Sequence, residues 1–220
     1  MTLVRCLTLM AMAAAGLAAC TTFDGTINNP IERSLTWFSF VAGDDIRSTC
    51  SADSPNRYRF VYNAVYERQI QAYELRMTTG GAELEARARN RAGNVANFQF
   101  RNPLGPWELR RADATLSPAD AARIVEALDR DIASAPAAVG KRLRSNKFYW
   151  TVAACRSGRF VLYAFEQDRV DIEALAFVGP LLVHDRTDVR FADAEQIEGF
   201  SDNAFEIRIN ATGEGIVGGL

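Results

Sequence analysis

The chain has 220 residues, 25 basic against 27 acidic side chains, a single histidine and four cysteines. A net charge of −2 offers no global attraction to nucleic acid or to an anionic lipid surface. One histidine excludes multi-histidine zinc centres and leaves a Ser-His-Asp triad only one candidate base.

The first twenty residues carry an export pattern. Arg5 supplies a short positive start, Leu7 to Leu17 is apolar apart from Thr8 and Gly16, and Leu17-Ala18-Ala19-Cys20 closes the run. That stretch has the length of a signal h-region and is too short to span a bilayer. Its Leu-Ala-Ala-Cys ending resembles the lipobox of bacterial lipoproteins, a resemblance confined to this segment. It implies that residues 1–19 are a cleaved signal peptide and that Cys20 is acylated, with palmitate among the chains. Each buried CH₂ contributes about 0.8 kcal/mol, so several chains hold a protein on a membrane without a transmembrane helix. Thr21 in second position implies, by the same resemblance, the periplasmic face of an outer membrane. Cleavage removes Arg5 and leaves 24 basic against 27 acidic side chains, a net of −3. Residues 20–33 are polar and turn-rich and read as a tether. Fully extended they reach about 50 Å, at roughly 3.3–3.6 Å per residue.

The remaining cysteines follow by subtraction. Cys6 leaves with the signal and Cys20 takes lipid, so Cys50 and Cys155 are left to form one disulfide in an oxidising compartment. The alternative is two separate buried thiols. A bond would tie the first half of the chain to the second, which argues for one domain over 34–211, followed by a flexible glycine-rich tail at 212–220.

Along that domain, alternation dominates. Tyr58, Phe60 and Tyr62 fall on one face, with Arg57, Arg59 and Val61 on the other. Tyr73, Leu75 and Met77, then Ala82, Leu84, Ala86 and Ala88, alternate with charges around Gly80-Gly81, which predicts a hairpin. A strand is expected from Trp107 to Thr115. Ser117-Pro118 then supplies an N-cap and a first-turn proline, with Asp120 near the positive end of the helix dipole. Ala121, Ile124, Val125, Leu128 and Ile132 follow at helical spacing, so a helix should run to about Ala135-Pro136.

Strands resume at Phe148 to Cys155 and Phe160 to Phe165, a second hairpin around Arg156-Ser157-Gly158. Val170 to Ala176 alternates as a strand would, and so does Phe205 to Ile209. Short strands, tight turns and one central amphipathic helix predict an α+β domain with a mostly antiparallel sheet. The sheet either stays open or closes into a barrel with the helix as plug.

Motifs for catalysis are lacking: no nucleophile elbow, P-loop or H-E-x-x-H occurs, and no cofactor or metal is expected. His184 stands beside Asp185 and near Asp188 and is read as a structural or surface histidine. Glu166, Asp168, Asp171 and Glu173 form an acidic run read as a solvated turn and strand face. Lys141, Arg142, Arg144 and Lys147 are the densest basic cluster, a candidate contact patch for lipid headgroups or an acidic partner. Tyr58, Phe60 and Tyr62 are a candidate face for an apolar ligand, or else core. The leading expectation is a non-enzymatic, lipid-anchored periplasmic protein that binds an envelope partner. A carrier for a lipid or other apolar molecule is the alternative, and an enzyme of unspecified class comes third.

Overall fold

The computed structural model describes residues 40–65, 68–90, 109–134, 138–192, 206–210 and 215–218. The lipobox, Cys20, the tether, Trp37, Phe38, Tyr66 and Trp107 lie outside the described residues. The described residues include the helices α1 (Asp44–Thr49), α2 (Pro118–Ser134) and α3 (Val178–Leu182). Strands β1 (Arg57–Ala64), β2 (Gln69–Thr78), β3 (Gly81–Asn90), β4 (Arg110–Leu116), β6 (Phe148–Arg156) and β7 (Arg159–Glu166) form one antiparallel sheet. Its order is β4-β3-β2-β1-β6-β7. β5 (Arg142–Arg144), β8 (Glu206–Ile209) and β9 (Gly215–Gly218) form a second, small sheet.

The large sheet is open rather than a barrel: among the described residues β4 and β7 each have one neighbour. Residues 215–218, read from composition as part of a loose tail, pair with β8. Residues 170–176 form turns and bends instead of the expected strand. The reason is local: Asp171 Oδ1 accepts from the N–H groups of Glu173 and Ala174, an Asx turn that competes with a ladder.

Turn chemistry explains both hairpins. In Arg156-Ser157-Gly158-Arg159 the two central residues have φ 49° and 76°, the left-handed pair of a type I′ turn. Between β2 and β3 the turn is Thr79-Gly80, and Gly81 already belongs to the strand. Gly81 is needed for another reason: a Cβ there would lie 2.2 Å from the Leu116 carbonyl oxygen. The β2–β3 hairpin therefore seats the end of β4 against a bare backbone.

Helix α2 begins as its sequence dictates. Ser117 Oγ accepts from the Asp120 N–H at 3.2 Å and donates to the Asp120 carboxylate at 2.7 Å. Its buried stripe of Ala121, Ile124, Ala127 and Leu128 packs on the face bearing Tyr58, Phe60, Tyr73, Leu75, Leu84 and Trp150. The opposite face is also covered over the strands β1, β6 and β7. There Val61, Ala153 and Leu162 meet Phe40 and Ile46 from the α1 side and Leu143, Ile207 and Ile209 from the small sheet. Cys50 follows α1 and bonds Cys155 on β6, with Cα atoms 5.5 Å apart, so the disulfide pins α1 to the sheet.

Candidate functional site

The aromatic face is interior. Tyr58, Phe60 and Tyr62 are buried, and the protein's own rings fill the space above them. Phe177 lies 5.2 Å from Phe60, Trp150 lies 4.9 Å from Tyr62, and Phe191 stacks on Tyr62 at 4.4 Å. Residues 185–192 run over this floor as a strap held by side chains. Gln69 Nε2 donates to the Arg190 carbonyl, Gln69 Oε1 accepts from the Ala192 N–H, and Tyr62 donates to the Ala192 carbonyl. Phe177 is anchored separately: the buried Asp131 carboxylate on α2 accepts from the N–H groups of Ala176 and Phe177 at 2.9 and 3.0 Å.

His184 and Asp185 serve different neighbours. His184 follows α3, its backbone N–H donating to the Leu181 carbonyl at 3.1 Å. Asp185 accepts from the Tyr73 hydroxyl at 2.6 Å and from the Thr187 N–H at 2.7 Å. Burial and the Asp185 carboxylate push the Tyr73 phenol far above its usual range, so it stays a donor. The pair is a lock for the strap. Among the described residues no cluster of His, Cys, Asp and Glu could hold a metal ion, and no helix is long and apolar enough to cross a membrane.

A buried ionic cluster escapes the sequence reading. Arg59, 1% exposed, donates through both guanidinium arms to Asp45 at 2.7 and 2.8 Å, and to Glu74 at 2.7 and 3.0 Å. It also donates to the Phe40 carbonyl and lies 4.0 Å over the Phe40 ring. Arg57 pairs with both acids, and Arg76 with Glu74. Burial alone would raise the Asp45 and Glu74 carboxyls, but the surrounding guanidiniums together hold both below the ordinary carboxylate range. Alternation puts Arg57 and Arg59 on the face opposite the aromatics; α1 settles on that face and makes it interior.

The basic cluster divides. Lys141 turns to the sheet and donates to the Ala164 carbonyl on β7 at 2.6 Å, and burial holds its ammonium pKa below the usual lysine value. Arg142 and Arg144 flank buried Leu143 on β5 and point outward, 59% and 64% exposed. Strand β8 adds an arginine that the sequence reading did not include, Arg208, directly across from Arg142. Three guanidiniums thus surround one carboxylate: Glu206 is 2.9 Å from Arg208, 3.7 Å from Arg144 and 4.0 Å from Arg142.

Beside them lies a cleft of about 450 Å³ lined by Arg142, Arg144, Asn146, Lys147, Glu166 and Asp168, among others. The structure therefore joins Lys147, Arg142 and Arg144 to the first half of the acidic run, while Lys141 is not among the lining residues. Asp171 and Glu173 stay in their own turn.

These features define an open antiparallel α+β domain, covered by α2 on one face and over β1, β6 and β7 on the other, with a charged cleft at one end of the central strands. Set against family models, curated proteins and solved structures, the chain matches none of them.

Proposed function

We propose that the protein is a lipid-anchored component of the bacterial cell envelope, held through Cys20 at the periplasmic face of the outer membrane. Its folded domain binds a partner protein near the membrane and carries out no catalysis of its own. The supporting observation is the state of β7. Among the described residues no strand pairs with its outer edge, and Phe160, Val161 and Tyr163 are half-buried rather than covered. Lys141 takes the Ala164 carbonyl, so that carbonyl faces away from β6. Antiparallel alternation then turns the backbone groups of Phe160 and Leu162 to the same open side. A partner segment adding as a strand would find those groups ready. The filled aromatic core weighs against an apolar cargo on the Tyr58/Phe60/Tyr62 face.

Two measurements test this reading. Cys20→Ala should leave an unprocessed precursor or a protein lost from the membrane fraction; normal processing and retention would refute the anchor. A photocrosslinking residue at Phe160 should capture an envelope protein in intact cells, while one at Thr115 on β4 should not. Equal capture from both edges, or none from β7, would refute docking there.

A further inference from the structure

Beyond partner docking, we infer that the cleft between β5, the 145–147 turn and the end of β7 binds a phosphate ester carrying an amine, the phosphoethanolamine unit. The chemistry of its walls is amphoteric. Arg142, Arg144 and Lys147 line it as cations, while Glu166 and Asp168 line it as anions.

The cations have donors to spare. Arg142 and Arg144 lie 4.0 and 3.7 Å from Glu206, beyond hydrogen-bond range, so their ion pairing uses none of their fork geometry. Arg208 stands directly opposite Arg142, and such like-charged cross-strand pairs are destabilising unless an anion intervenes. Glu206 supplies one negative charge for three guanidiniums. A phosphate on Arg142, Arg144 and Lys147 supplies what is missing, and guanidinium forks match its oxygens.

The anionic wall calls for a donor. Glu166 is already shared with Arg169 at 3.8 Å, while Asp168 has no ion pair among the described residues. An ammonium N–H pairs with Asp168 through a charge-assisted bond. Plain phosphate would leave Asp168 unmatched and would meet its repulsion. A quaternary choline offers no N–H donor. The volume, about 450 Å³, falls within the range of small-ligand sites. The inference does not depend on the anchor. The same unit exists as a free metabolite and as a membrane-lipid headgroup.

The test uses the full chain in neutral maltoside micelles, followed by calorimetry. Phosphoethanolamine should bind saturably, about tenfold more tightly than inorganic phosphate, phosphocholine or ethanolamine, the scale of one lost charge-assisted hydrogen bond. Arg144→Ala/Lys147→Ala, at exposed positions, should weaken it about tenfold or more with the unfolding midpoint unchanged. Asp168→Asn should erase the preference over phosphocholine while sparing phosphate. Short-chain phosphatidylethanolamine in the micelles identifies the source. Tighter binding than the headgroup alone assigns a lipid, and equal binding assigns a free ester. No saturable binding of phosphoethanolamine, binding indifferent to the amine, or binding unchanged in the double variant would overturn the inference.

Discussion

Removing the disulfide tests how α1 is joined to the sheet. Cys50 and Cys155 are separated by 105 residues in sequence, and the bond between them closes that whole loop. In the chain-entropy description a loop of this length contributes about 4.7 kcal/mol, through the freedom denied to the unfolded chain. Cys155 is 2% exposed, so alanine there also leaves a small void that adds roughly 1 kcal/mol. For a domain of this size each kcal/mol moves the midpoint by about 2–4 °C. Cys50→Ala/Cys155→Ala should therefore melt roughly 10–20 °C below wild type. The transition should remain single, because α1, β1 and β6 share one core. Thermal unfolding by circular dichroism of the full chain in neutral detergent checks this, and reduced wild type should fall by nearly the same amount. A drop under about 3 °C would contradict the loop-closure reasoning. Two separate transitions would contradict the shared core.

Arg59→Met should destabilise the domain by about 1.5–3 kcal/mol, measured by urea unfolding, because it removes the charge-assisted bonds to Asp45 and Glu74 and leaves those carboxylates to Arg57 and Arg76 alone. The same carboxyls set an acid limit. Their folded pKa values are lowered, so their stabilisation is complete above the unfolded range, about 4, and is lost as pH falls through the folded values. Melting temperatures should hold from pH 7 to about 5 and then decline, and Glu74→Gln should flatten the decline. Asp131→Ala should cost about 2–4 kcal/mol by leaving two N–H groups without their acceptor. It should also speed hydrogen exchange at residues 176–182 before the rest of the sheet, and uniform exchange would argue against that pin.

Much of the architecture is written in local pattern. Period-two alternation marks β1, β2, β3, β6 and β7, since a strand with one face on a helix must repeat its apolar residues every second position. Ser117-Pro118 and the 3.6-residue spacing mark α2 because a helix end needs its own acceptors and donors capped. The cysteine pair follows from counting. Tertiary structure decided the rest. The alternation of Val170 to Ala176 resembled a strand, yet Asp171 closes a turn and Asp131, some forty residues away in sequence, holds the backbone of 176 and 177. Arg59 carries the same local mark as an exposed strand residue, and only the arrival of α1 with Asp45 makes it a buried ion-pair partner. The basic run 141–147 is contiguous in sequence, but β5 alternation sends Leu143 inward and Arg142 and Arg144 outward. Lys141 goes instead to the β7 edge, while Arg208 arrives from a strand more than sixty residues on. Period and composition act between near neighbours and are legible in one dimension. Charge compensation and cleft walls depend on which distant strands become adjacent, and that is set when the two halves of the chain pair as β1 and β6.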